Sequence, residues 1–256
     1  MQLDTVKNNR EFLGIVIALP SEARPVLGRG GWETIEGRLC RRSRPGSKPQ
    51  YLCVCSGTGQ EKAFSASAWL ISNGAVTLLS MGLSGGLRPD MKSGDIIVSE
   101  TILEYRKNRI ANTWEPDRKS AGKQAAILTD CGIHVYSGPT LTTDHPVLSP
   151  GDKKRIHKET MALACDMETA AVSMAASVSG IPFHAVRTVC DPADRTLPPG
   201  IVDCLRPDGS VSLKRLLVGL MLKPPMMFDL YRIYSDYRSA IRSLGRAWSS
   251  LSTRFF

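Results

Sequence analysis

ACDMETAAVSMAASVSGIPFHAVRTVCDPADRT, residues 164–196, places two acidic clusters on either side of one helix–strand unit. Ala170, Ala171, Ala175, Ala176 and Ser177 form a helix with almost no side-chain bulk, a surface made for close packing on a sheet. Gly180 stops that helix, and Pro182 imposes extended backbone. Phe183, Ala185, Val186 and Val189 then give an apolar run of buried-strand length that ends at Asp191. Ligands of open α/β sheets bind beyond the carboxyl ends of the strands, which is where Asp191 and Asp194 fall. Standing before Pro192, Asp191 is equally suited to cap a helix.

Working outward, Phe12–Leu19 is a continuous apolar run that turns at Pro20-Ser21-Glu22 into a helix, the pattern of a first parallel strand. Tyr51–Cys55 is a short strand that opens through Ser56-Gly57-Thr58-Gly59 into a second helix. Val76–Met81 is the next strand and runs into Gly82-Leu83-Ser84-Gly85-Gly86. That stretch is either a tight turn needing positive φ or a loop whose amides approach a ligand. Asp95–Ser99 and Ile133–Tyr136 are further strands, the latter leading into a turn at 137–141. Arg106–Gly122, polar and holding Pro116, is expected as an exposed loop, and Arg38–Lys48 as a solvated hairpin tip. Strands alternating with helices specify one three-layer α/β domain.

The 256 residues are 42% hydrophobic and 22% charged, which is ordinary globular composition with room for one large core. Seven cysteines without a C-x-x-C pair, and a start lacking the apolar core of a signal peptide, point to a reduced, cytoplasmic protein. No phosphate-loop signature, H-E-x-x-H or G-x-S-x-G is present, and the histidines lack ligand spacing, so neither a metal nor a bound cofactor is expected. The net charge is +9, and from Lys214 onward eight basic residues stand against Asp229 and Asp236, giving +6 of it. That places the excess in the C-terminal segment rather than on a nucleic-acid-binding face, and no nucleic acid is expected as partner.

Four segments together resemble the nucleoside phosphorylase and nucleosidase family: ALPSE (18–22), GLSGGL (82–87) with KSGDIIVSE (92–100), ACDMETAAV (164–172) and HAVRTVCDPAD (184–194). The resemblance implies a three-layer αβα sandwich with a central mixed sheet, and cleavage of the N-glycosidic bond of a nucleoside. It makes Asp191 the acid that protonates the leaving purine, and an aspartate there goes with 6-aminopurines such as adenine; such an acid needs burial or a neighbouring carboxylate to hold its proton, and Asp194 three residues on is a candidate for the latter. Glu168 takes the ribose hydroxyls and Met167 packs beneath the sugar. Ser84 and Gly85 fall near ribose and nucleophile, and Leu141 near the segment that stacks on the base. Glu22 matches the residue that activates water. Arg24 nearby matches a phosphate-binding arginine of the phosphorylases, which leaves inorganic phosphate open as a co-substrate. Arg187 holds either the site's carboxylates or an anion, or is a structural ion pair. Cys190 and Leu83 depart from serines common in nucleosidases. A homo-oligomer, with a dimer favoured, is implied as well.

Residues 1–212 then form the nucleosidase-like domain and 213–256 a basic amphipathic helical extension. In the extension Leu230, Tyr234, Tyr237, Ile241, Leu244, Trp248, Leu251 and Phe255 recur every three or four residues, a single apolar stripe flanked by arginines. It is either a core or coiled-coil helix or one lying in an anionic membrane interface. With DMETAAVSMAA and VRTVCDPADRTLPP it resembles the hopanoid-associated phosphorylase-like proteins. That resemblance implies adenosylhopane as substrate and peripheral contact with the cytoplasmic membrane. The competing readings are an enzyme of soluble adenine nucleosides and a non-catalytic nucleoside- or nucleic-acid-binding module.

Overall fold

The computed structural model describes residues 11–196 and 226–256, the first five of the latter segment as backbone only. In chain order the elements are β1 (Phe12–Ile17), α1 (Pro20–Leu27), β2 (Trp32–Ile35), β3 (Arg38–Arg42), β4 (Tyr51–Cys55), α2 (Gln60–Ser72), β5 (Ala75–Gly86) and β6 (Ile96–Arg106). They continue as β7 (Arg109–Trp114), α3 (Arg118–Asp130), β8 (Val135–Thr143), α4 (Pro150–Thr160), β9 (Ala164–Asp166), α5 (Thr169–Val178), β10 (Phe183–Asp191) and α6 (Met226–Arg254). All strands belong to one mixed sheet of order β10-β6-β8-β9-β5-β1-β4-β3-β2, with β7 on β6.

β1 is buried on both faces because helices cover both. On one side Leu13, Ile15 and Ile17 pack with α1, α3 and α6; on the other Val16 packs with α2 and α5. These are the three expected layers. One feature is not visible in the strand pattern: β10 pairs in parallel with β5 and antiparallel with β6, so β10-β6-β8-β9-β5 closes into a ring. The small side chains of α5 do what their size suggests, since Ala170, Ala171 and Ala176 meet Ala63 and Ala66 of α2 in one apolar cluster. Gly180, at φ +66°, ends the element.

Three expectations are corrected. Gly82–Gly86 is no turn, because β5 runs straight through it without positive φ. Residues 137–141 are likewise strand, the centre of β8. Arg106–Gly122 holds the β6–β7 hairpin and the start of α3 rather than a loop. Lys107 and Asn108, both at positive φ, make its two-residue turn, and β7 shows no alternation because it is an exposed edge.

Of the two readings left open for the extension, the core helix is the one observed. From Ile241 on, the stripe of α6 is core: Leu244, Ala247, Trp248 and Leu251 share a cluster with Ile15, Ile17 and Val98. Trp248 stacks edge-on against Tyr51, with ring centroids 5.3 Å apart. The stripe that a membrane interface would need is thus covered by the chain's own sheet and α1, whereas Tyr231 and Tyr234 are exposed. The 212/213 division and the Lys223-Pro224-Pro225 break lie outside the described residues. No described helix is long and apolar enough to cross a membrane.

Candidate active site

β1, β4, β5 and β10 run parallel, so their carboxyl ends share one edge of the sheet. At that edge β1 delivers Glu22 in the first turn of α1, β4 delivers Gly59 at the start of α2, and β10 delivers Asp191. Glu22 is buried, and a Cβ on Gly82 would lie 3.0 Å from its Oε2 and 2.5 Å from Nη1 of Arg187. Only glycine at 82 leaves room for both side chains. Burial pushes the Glu22 carboxyl up to about 8, with the negative charge of Glu168 adding to the effect and Arg187 opposing it. Glu168, at the start of α5, accepts the Gly59 N–H at 2.8 Å. Burial, then the charge of Asp166, lifts its carboxyl to about 7.

Asp166 organises this cluster. Its Oδ1 accepts the N–H groups of Glu168 and Thr169, both at 3.0 Å, and the Thr142 hydroxyl at 2.8 Å. Its Oδ2 meets Nε of Arg187 at 2.7 Å with both side chains almost wholly buried. Arg187 donates further to the hydroxyls of Ser80 and Thr169. Arg187 is therefore the partner of a structural carboxylate. The sequence marks Asp166 only as one half of D-M-E; its role as anchor depends on strands β8 and β10, which no local pattern brings together.

Asp191 forms a second group. A Cβ on Gly85 would stand 3.1 and 3.3 Å from its two carboxylate oxygens. Gly82 and Gly85 are three residues, about 10 Å, apart along β5, so the two acidic groups meet neighbouring positions of the same strand end. Nζ of Lys153, a fully buried lysine of α4, lies 2.6 Å from Oδ2 of Asp191. Burial raises the proton affinity of Asp191 and Lys153 opposes that rise. The carboxylate that adds to it is Asp236 of α6, not Asp194, which is exposed.

Of the other expected residues, Met167 and Cys190 are half-buried at the same edge, the latter beside Asp191. Ser84 is buried and its hydroxyl donates to the Thr188 carbonyl at 3.2 Å. Leu141 is fully buried among Leu87, Leu103, Ile156 and Cys165, so it supports the site from within the core. Arg24, two residues after Glu22, is exposed. Among the described residues no three histidine, cysteine, aspartate or glutamate side chains are arranged to hold a metal ion.

The phosphorylase superfamily model matches residues 11–201, which is most of the chain and includes every residue of this site except Asp236. The chain belongs to the phosphorylase superfamily. Among curated proteins, a 5′-methylthioadenosine/S-adenosylhomocysteine nucleosidase of Baumannia cicadellinicola is 29% identical over 159 residues, 56% of this chain and 69% of the relative. A substituted Helicobacter pylori nucleosidase solved with 5′-methylthioadenosine in its active site is 18% identical, with a TM-score of 0.68 over 93% of this phosphorylase-superfamily chain and 98% of that one. The Neisseria meningitidis nucleosidase in complex with methylthio-immucillin-A gives 16%, 0.71, 96% and 100%. The native futalosine hydrolase of H. pylori gives 18%, 0.68, 93% and 97%. At these identities the likeness is one of fold. The unmatched 7% is shorter than the 29-residue α6, so the match reaches into that helix.

Proposed function

We propose that this protein hydrolyses the N-glycosidic bond of an adenine nucleoside. The observation that carries the reading is the buried acidic cluster, Glu22, Glu168 and Asp166, beside Gly82 of β5, with Asp191 beside Gly85 of the same strand end. Breaking the C1′–N9 bond builds positive charge on the sugar and negative charge on the base. Glu168 accepts hydrogen bonds from the ribose hydroxyls and faces the sugar charge. Glu22, in its ionised form, takes a proton from the attacking water, whose oxygen bonds to C1′ as the C1′–N9 electron pair leaves with the base. Asp191 supplies the proton that neutralises the purine at N7.

Water is favoured over phosphate by charge. Three buried carboxylates face one arginine, and that arginine is already paired with Asp166. Among the described residues of the buried cluster the one cation is already paired, so a phosphate dianion would meet carboxylates there. Two substituents at the 5′ position carry separate support. The curated relative favours a small thioether such as methylthioadenosine, and the motif resemblance favours the lipid of adenosylhopane. The covered stripe of α6 adds nothing to the membrane reading. The homodimer is supported by Met174 and Val178, exposed one turn apart on α5, and by Ile110 on β7.

The test is adenine release from methylthioadenosine and from adenosylhopane by the wild type and by Asp191→Ala. Loss of at least ~100-fold in kcat is expected for the variant on whichever substrate is cleaved. Retention of more than about a tenth of wild-type turnover would remove Asp191 from the role of acid.

A further inference from the structure

Lys153 has no part in the chemistry so far described, yet among the described residues it is the largest fully buried side chain, and it points all its donors at one place. Its Nζ lies 2.6 Å from Oδ2 of Asp191, 2.9 Å from the Pro192 carbonyl, 3.2 Å from the Arg195 carbonyl and 3.3 Å from the Asp191 carbonyl. Three N–H groups thus serve four oxygens, all within residues 191–195. No other carboxylate pairs with it among the described residues. A lysine needed only to fill space on α4 would be replaced by an apolar residue at no loss, because burying an ammonium group is costly unless it is paired.

We propose that Lys153 is a positioning residue for base protonation: it holds Oδ2 of Asp191 and the backbone of the turn after it, so that Oδ1 is the oxygen presented to the purine. Oδ1 has no hydrogen-bond partner among the described residues, and the Asp191 side chain is 17% exposed, enough to reach a ligand at the sheet edge. When Oδ1–H passes its proton to N7, the carboxylate left behind forms 2.6 Å from a fixed positive charge and needs no solvent to stabilise it. The other groups facing Asp191 are Cys165, Cys190 and Asp236, none of them cationic, so the lysine is the one positive partner of this acid among the described residues. Burial and the lysine thus act in opposite directions on the same proton. The first keeps it on the acid, and the second lets it leave.

This inference rests on the hydrolytic reading, and the experiment separates the two. Wild type, Lys153→Met and Lys153→Arg are assayed on an adenine nucleoside and on 4-nitrophenyl β-ribofuranoside, whose leaving group departs without protonation. A wild type that releases no adenine overturns the functional reading and this proposal with it. If the wild type is active, Lys153→Met should lose at least ~100-fold in kcat on the nucleoside, the size of a lost general acid. On the nitrophenyl riboside it should stay within about threefold, and the alkaline limb of its pH profile on the nucleoside should move upward. Lys153→Arg, which keeps the charge, should restore most of the nucleoside activity. Equal losses on both substrates would make Lys153 a structural lysine and contradict the proposal, as would no loss on either. Should Lys153→Met fail to fold, Lys153→Arg carries the test. Nucleoside turnover within about tenfold of wild type supports the proposal, and a matched fall on both substrates overturns it.

Discussion

Glu22 is a carboxylate whose chemistry its surroundings alter strongly. Unfolded, its carboxyl takes up a proton near the ordinary value of 4.5; folded, it does so at about 8. Between those values the folded state binds more protons than the unfolded one, so this group's contribution to stability is full below pH 4.5 and is lost as pH rises through 8. Glu22→Gln has no such proton to lose. Its melting temperature should match that of the wild type near pH 4 and exceed it by a widening margin towards pH 9. Parallel curves across that range would show that Glu22 is not buried as an acid. The sequence placed Glu22, Glu168 and Asp191 at strand ends and helix starts, because those positions follow from local patterns. Asp166 and Lys153 were missed for a shared reason. Each acts through a partner distant in sequence, and Lys153 in particular lies in GDKKRIHK, where only its spacing from Ile156 distinguishes it from exposed neighbours.

At the scale of elements, β5 and α6 depart most from what local patterns suggest. A run of glycines after an apolar stretch reads as a turn, but here the strand continues and the missing side chains make room for Glu22, Arg187 and Asp191. Gly82→Ala should therefore lower kcat/KM by well over tenfold, since its methyl group would displace Arg187 and Glu22. A Gly82→Ala enzyme of normal activity would mean that the two side chains do not meet at this point. The stripe of α6 was legible as a stripe, and its period cannot say what covers it: a sheet, a partner and a bilayer all select the same spacing. Trp248→Ala settles this one, with an expected loss of ~3–5 kcal/mol in urea unfolding, the cost of removing a core aromatic. A change below about 1 kcal/mol would mean that the helix is not part of the core.

For the whole molecule, the α/β class and its three layers were readable because alternating strand and helix patterns admit few topologies. The closure of β10 onto both β5 and β6 was not, since pairing partners far apart in sequence leave no local trace. That closure brings the end of β10 beside the end of β5 and so places Asp191 relative to the Glu22 cluster, the two groups proposed to protonate the base and to activate water. It also leaves the buried cluster around Glu22 rich in carboxylates, with the one arginine among its described residues already paired, and the proposal of water as nucleophile rests on this. The most direct measurement is to run the reaction on an adenine nucleoside in ¹⁸O-labelled water, with and without inorganic phosphate, and to identify the sugar product by mass spectrometry. The expected result is adenine release at the same rate in both conditions and a free ribose derivative carrying the label at C1′. A sugar 1-phosphate, or release that requires phosphate, would contradict the account.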